Sequence, residues 1–468
     1  MYKLTPKIVA EIIGGTYIGS DDDLNTPITG AARDNRDVRP GNLFICIKGE
    51  RTDGHLYVGD AFKAGAACCL TQREIPNAQG PYVITAATTE SIKTLAAYHR
   101  SQFDIPVIGI TGSVGKTTTK ELVAAVLGAK YHVLKTEKNL NNELGVPLTL
   151  LSLTEKHEAA VIEMGISDFG EMSRLAAMVR PDIFIMTKIG YAHIKELGDL
   201  RGVLRAKTEA FAYMKPSGIA IMSGDDELLR TYKTGLKTIT FGLEPNNDFR
   251  AENTLQQGVA SVAFDIVCNT GELTPERFPV QIAAYGSHIA ALAPAAAAAG
   301  SLLSLSVAEI EQGFRAYIPI EGRSNVSYSG DIILIDDCYN ANPTSVKAAL
   351  TSLSSLNCRR VAILGDMLNL SEDLKRSNDM HFEIGKFAAE CGIDILLCHG
   401  DESRYICSGY KNAGGLDAEH FGEIEKLMSE IPKRIKKGDA VLVKASHGMH
   451  FERLLPVISA REQHKKTV

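Results

Sequence analysis

"VIGITGSVGKTTTKEL", Val107 to Leu122, sets an apolar strand pattern, a glycine-rich turn and a helical pattern end to end. The usual phosphate-binding loop carries a glycine five residues ahead of the glycine in Gly-Lys-Thr. Here that place is Ile110, and Gly112 stands closer in, which compresses the loop to Gly112-Ser113-Val114-Gly115-Lys116-Thr117. "PVIGI" reads as a buried strand, and "TTTKELVAAVL" carries Leu122, Val123, Val126 and Leu127 at helical spacing. The glycines therefore fall at a helix N-terminus, where backbone N–H groups and the helix dipole favour phosphate. Gly112 to Thr118, with Ser113, Val114, Gly115 and Thr118 around the key pair, form the expected nucleotide-phosphate contact. Lys116 supplies a point charge for the β and γ phosphates, and the Thr117 hydroxyl can ligate Mg²⁺.

Outward from this loop, composition sets the limits. At 468 residues the chain exceeds one ordinary core, and about 150 residues per domain suggests about three domains. A 45% hydrophobic and 23% charged composition, with mean hydropathy −0.03, is that of a soluble globular protein. A formal net charge of −6 offers no field for a polyanion, so no nucleic-acid partner is expected. Nine scattered cysteines without a C-x-x-C pair suit a reducing cytoplasm better than a disulfide framework or a zinc site. The first residues, "MYKLTPKIVAEIIGGTYIGSDDD", make a poor signal peptide because Glu11 breaks the apolar stretch. Ile289 to Leu305 is alanine-rich and holds Pro294 and Gly300, which reads as a buried helix; no membrane insertion is expected.

Residues 1–104 read as a small mixed α/β domain. Its stretch "RDNRDVRPGNLFICIKGERTDGH", Arg33 to His55, could hold a diphosphate and a base, or simply form a charged surface loop. Residues 105–316 form a P-loop-type ATPase domain. Within it the strand "AAVIEMG" ends in Glu163, and "DIFIMT" leads to "KIGYAHIKEL" with His193. Parallel strands present their C-terminal ends on one edge, so both residues can approach the phosphates, and a carboxylate there suits Mg²⁺. Residues 317–468 read as a Rossmann-like doubly wound sheet from "DIILIDD", "RRVAILGD", "DILLC" and "AVLVKAS". No G-x-G-x-x-G occurs there, so a dinucleotide site is not expected, and "DDCYNANP" and "KASHGMHF" need another purpose.

The short T-G-S-x-G-K-T loop, "TEKNLNNELGVPLTLL", "VIEMGISDFGEM", "AHIKELGDLRGVLRAKTEAF", "EGRSNV" and "IDDCYNANPTSVKAAL" together resemble the Mur ligases of bacterial cell-wall synthesis. The likeness runs in order over essentially the whole chain. It implies a cytoplasmic three-domain α/β ligase that joins D-alanyl-D-alanine to UDP-N-acetylmuramoyl-tripeptide with ATP and Mg²⁺, through an acyl phosphate, and works as a monomer. By resemblance Asn35, Arg36, Lys48 and His55 would hold the UDP of the substrate, with Asn139, Asn141 and Asn142 near the phosphates and muramoyl group. Lys116 and Thr117 match the phosphate and magnesium residues, and Glu163 and His193 the metal site. Arg323 matches an arginine that reaches the ATP phosphates, Asp337 the acid that holds the ribose, and Lys207 a lysine that is often carbamylated. Three places depart from the pattern. Ile289 stands where many relatives carry an adenine-holding asparagine, Thr187-Lys188-Ile189-Gly190 replaces T-N-x-G, and Ser446-His447 replaces a Ser-Arg.

Competing readings share some of these signals. A folylpolyglutamate-type ligase would use the same short loop and metal site, but the uridine-type motifs and "NLNN" speak against it. A non-ligase P-loop ATPase would use "ILIDD" as its acidic strand, which here falls in the third domain. A UDP-sugar sensor would bind without turnover.

Overall fold

The computed structural model describes residues 3–49, 52–271, 273, 276–371 and 373–459. Glu50 and Arg51 of the first-domain stretch, and residues 460–468, lie outside the described residues. Three α/β domains follow one another along the chain. The first sheet holds β1 (Thr16–Ile18), β2 (Gly30–Ala32), β3 (Asn42–Ile45), β4 (Cys68–Thr71) and β5 (Tyr82–Ile84), in the order β1-β5-β4-β3-β2. Only β1 runs antiparallel.

The central sheet has nine strands. They are β6 (Val107–Thr111), β7 (Val133–Lys135), β8 (Ala159–Glu163), β9 (Ile183–Met186), β10 (Ile219–Ser223), β11 (Lys237–Gly242), β12 (Phe249–Gln257), β13 (Ser261–Cys268) and β14 (Arg277–Ile282). Their order is β14-β13-β12-β11-β10-β9-β6-β8-β7. β6, β8 and β9 are buried at every residue, as strands covered on both faces must be, and they pair in parallel. At the far edge β12, β13 and β14 turn antiparallel, and β14 alternates exposed and buried residues in the manner of a half-solvated sheet. This antiparallel extension has no counterpart in the sequence reading, which singled out no strand between β9 and the third domain. The alanine-rich stretch forms the helix His288–Leu302, buried along most of its length against the helix Lys116–Leu127 and the sheet.

The third sheet holds β15 (Asn325–Ser329), β16 (Ile332–Asp336), β17 (Arg360–Gly365), β18 (Ile395–His399), β19 (Ala418–Phe421) and β20 (Ala440–Lys444), in the order β15-β16-β20-β17-β18-β19. All pairs but β15–β16 are parallel. Helices Pro343–Ser354 and Leu374–Glu390 pack one face and Ile424–Arg434 the other, so the sheet is doubly wound. β18 also leads into a helix, Ser403–Asn412, which the sequence pattern did not mark.

Candidate active site

β6 ends at Thr111 and the helix Lys116–Leu127 begins after Gly115, so Gly112 to Gly115 turn in four residues. Both glycines are required by the geometry. Gly112 has φ of 148° and a Cβ there would stand 2.0 Å from Thr187 Oγ1; Gly115 has φ of 86° and packs against Leu292. The loop is braced by the segment after β9. Thr187 Oγ1 donates to Val114 O at 2.6 Å, Ser113 N donates to Lys188 O at 2.7 Å, and Gly190 N donates to Ser113 Oγ at 2.9 Å.

Behind the loop lies a ring of charge. Lys116 Nζ donates to Gly112 O at 2.9 Å, and burial lowers its pKa, against the pull of Glu163 and with the push of Arg323. Glu163, 1% exposed at the end of β8, accepts at Oε1 from Thr117 Oγ1 at 3.2 Å and from Asn141 Nδ2 at 2.8 Å. Its Oε2 is buried without a partner among the described residues. His193 has a left-handed backbone, φ 54°. Burial, then Lys207 and Lys116, lower its pKa, so its ring is neutral near pH 7. Lys207 is 2% exposed on the helix Leu200–Thr208, and its ammonium has no hydrogen-bond or ion-pair partner among the described residues. Burial first, then Lys116, drive its pKa well below the ordinary lysine value, with Glu171 opposing.

In front of the loop a cavity of about 260 Å³ opens between the central and third domains. Ser113, Val114, Gly115, Lys116, Thr117 and Thr118 line it from one side, and Arg323, Asp337 and Lys444 from the other. Asp337 Oδ1 accepts from Ser324 N at 3.1 Å, and Oδ2 accepts from Lys444 Nζ at 2.6 Å. Arg323 lies over the Tyr339 ring with its guanidinium carbon 4.3 Å from the centroid, which fixes the side chain beside the cavity. Phe241, Ala284, Ile289, Leu292 and Ala348 give it an apolar wall, a setting for a flat base. Lys444 was missed by the sequence reading. A lysine closing the otherwise apolar run "AVLVK" was the signal, since a buried lysine needs a partner.

The remaining expected residues lie apart from this cavity. Asn141 joins Glu163, whereas Asn139 is exposed and Asn142 Oδ1 accepts from Gly145 N at 2.9 Å to close its own turn. In the first domain Arg36 and Lys48 are exposed and Asn35 is half-buried. Both His55 ring nitrogens are committed: Nδ1 donates to Asp53 at 2.6 Å and Nε2 accepts from Gln72 N at 2.9 Å. Among the described residues no cluster of three or more His, Cys, Asp and Glu forms a self-sufficient metal cage. The orphaned Glu163 Oε2 beside the Thr117 hydroxyl still fits a hard cation that takes its other oxygens from phosphate and water, as Mg²⁺ does.

Comparisons with known proteins agree with this architecture domain by domain. Residues 27–108 match the Mur ligase family catalytic domain, 110–300 the Mur ligase middle domain, and 322–447 the Mur ligase glutamate ligase domain. The UDP-N-acetylmuramoyl-tripeptide–D-alanyl-D-alanine ligase of Bacillus subtilis is 34% identical over 97% of this chain and 98% of its own length. The crystal structure of MurF from Acinetobacter baumannii superposes with a TM-score of 0.85 at 29% identity, over 97% of this chain and 98% of that one. MurF ligase from Thermotoga maritima, solved in complex with ADP, does so with a TM-score of 0.80 at 26% identity, over 94% and 99%. Built on a compressed phosphate loop and three matching domains, the chain belongs to the Mur ligase family.

Proposed function

We propose that this protein joins D-alanyl-D-alanine to UDP-N-acetylmuramoyl-tripeptide with ATP, releasing ADP and phosphate, in peptidoglycan precursor synthesis. The observation that carries this reading is the cavity shared by two domains, with the phosphate loop on one wall and Arg323 and Asp337 on the other. The end-to-end likeness to ligases named for that reaction supplies the substrates. A carboxylate resists amines because it is anionic and has a poor leaving group. One carboxylate oxygen of the tripeptide attacks the γ phosphorus, and the bond to the β-phosphate oxygen breaks as ADP leaves. The dipeptide amine then attacks the acyl carbon, loses its proton and expels inorganic phosphate.

The residues divide this work by position. Lys116, with Arg323 across the cavity, neutralises charge on the transferring phosphoryl group, and the loop amides cradle the phosphates. Asp337, fixed by Lys444, holds the ribose, and the apolar wall takes adenine without an amide at Ile289. Asn35, Arg36 and Lys48 offer donors to the UDP, while His55 shapes that loop through Asp53 and Gln72. Asn139 and Asn142 lie at the muramoyl group, and Asn141 orients Glu163. Thr117, Glu163 and neutral His193, with Lys207 as a carbamate, would hold Mg²⁺, which supplies charge neutralisation to the phosphates. CO₂ combines only with a neutral amine, and burial, by lowering the pKa of Lys207, raises the share of that form. The protein works as a monomer in the cytoplasm; no helix among the described residues is long and apolar enough to cross a membrane.

Phosphate release that requires both the UDP-tripeptide and D-alanyl-D-alanine, with the amide product seen by mass spectrometry, is the test. Release with folate and glutamate, or with ATP alone, would overturn it. Lys207→Ala should lose most activity and regain part of it with formate or acetate, whereas Lys207→Arg should not be rescued, because it keeps a cation where an anion is needed. Near-normal turnover by Lys207→Arg would end the carbamate reading.

A further inference from the structure

Between β9 and His193 the chain runs Thr187-Lys188-Ile189-Gly190, and three of these four residues are buried. The exception is Lys188, an exposed side chain on a backbone held by hydrogen bonds. Its carbonyl accepts from Ser113 N at 2.7 Å, Ile189 N donates to Asp226 Oδ2 at 2.9 Å, and Thr187 N donates to Thr111 O at 3.0 Å. Asp226 is itself buried and held by Leu228 N and Leu229 N, both at 3.0 Å. The root of the lysine is thus tied to the phosphate loop on one side and to Asp226, the cap of the helix Glu227–Thr231, on the other.

Lys188 lines the cavity, and its ammonium has no hydrogen-bond or ion-pair partner among the described residues. The other cations there are engaged, Lys116 with Gly112 O, Arg323 with the Tyr339 ring and Lys444 with Asp337. Of the cavity's two acids, Asp337 is taken by Lys444, and Asp225 is satisfied by Leu243 N at 2.7 Å, Glu244 N at 3.0 Å and Asn247 Nδ2 at 2.8 Å. The cavity therefore carries surplus positive charge, and the free cation is the one rooted beside Ser113. We propose that Lys188 is a second lysine for the phosphate chain of the nucleotide, acting with Lys116 from the opposite side of the loop. A flexible ammonium suits this task, since it meets a phosphate oxygen as a point charge without a fixed donor geometry.

This inference rests on the reading that the cavity holds the nucleotide, and the experiment separates the two. ADP binding is measured by calorimetry on the full chain for wild type, Lys188→Gln and Lys188→Arg, at several salt concentrations, with the melting temperature of each variant as a check on folding. Wild type should bind one ADP. Lys188→Gln should bind it about tenfold or more weakly, the size of one charge-assisted hydrogen bond, and with a shallower salt dependence, while Lys188→Arg keeps most of the affinity. In turnover the KM for ATP should rise and that for the dipeptide should hold. Equal ADP affinity in wild type and Lys188→Gln overturns the inference alone. So does a rise confined to the dipeptide KM, which would assign the cation to the second substrate's carboxylate. Failure of wild type to bind ADP overturns the nucleotide reading as well.

Discussion

Across the seam between the first and central domains, Leu43, Ile45, Leu70, Ile92 and Leu95 belong to the same apolar cluster as Val146, Leu150, Met172 and Leu175. Across the seam between the central and third domains, Val259 and Tyr285 alone among the described buried residues of the central domain reach a third-domain cluster. The first seam is also bolted by polar contacts: the His99 Nε2–H donates to Leu153 O at 3.0 Å, and Arg100 Nε to Val179 O at 3.2 Å. The second holds the cavity. Opening the first would return contiguous apolar surface to water at about 25 cal/mol per Å², whereas the second joins its domains through only these two buried residues of the central domain and parts at smaller cost. The first two domains are therefore expected to move as one body, with closure over substrates left to the third about the irregular stretch from 316 to 324, where Ile318 is 78% exposed.

The difference separates two kinds of variant. Lys116→Ala, in the cavity, should cut turnover by about 10³-fold or more, because electrostatic stabilisation dominates phosphoryl transfer, and should leave the unfolding profile in place. A folded variant with near-normal turnover would break the assignment. Leu95→Ala, in the first seam, should do the reverse. It removes a fully buried side chain and should cost about 2–5 kcal/mol in denaturant unfolding, with the KM for ATP little changed. Were its cost confined to a transition of the first domain alone, the single-body picture would fail.

pH gives a smaller effect on both seams. Burial lowers the pKa of His99 in the first seam and of His288 in the second. Each also has a buried Nδ1 without a partner, so a proton added there meets no acceptor. The folded form of each therefore binds its proton more weakly than the unfolded chain. The stability this confers is full above the ordinary value of about 6.5 and is lost as pH falls through the window beneath it, by at most about 1.4 kcal/mol per pH unit for each ring. Unfolding midpoints measured from pH 7.5 to 5.5 should fall, and His99→Gln should flatten that slope. An unchanged slope would place the acid sensitivity elsewhere.

Much of the fold was legible because its signals are local. The loop from Gly112 to Thr117 announces its strand and helix within a dozen residues, and the apolar runs of β8, β9, β16 and β17 need no partner to be read. What stayed hidden depends on pairing between distant segments. β12 to β14 form weaker alternating patterns whose partners lie in the tertiary fold. The shared cluster of the first seam joins residues about a hundred positions apart, which no periodicity reveals. The same holds at the site. Lys116 and Thr117 are named by the loop itself, but the tie of Lys444 to Asp337 spans 107 positions, and only the folded sheet brings β16 and β20 side by side.

The division into one rigid pair and one mobile domain is tested most directly by distances measured in solution. Spin labels are carried on non-native side chains at Glu74, Lys233 and Lys411, exposed positions in the first, central and third domains. Pulsed magnetic resonance reads the pairs before and after addition of a non-hydrolysable ATP analogue with UDP-N-acetylmuramoyl-tripeptide. The 74–233 distribution should stay where it is, and the 233–411 distribution should shorten and narrow. A 74–233 distance that shifts as much as the other, or a 233–411 distance indifferent to ligand, would contradict the account.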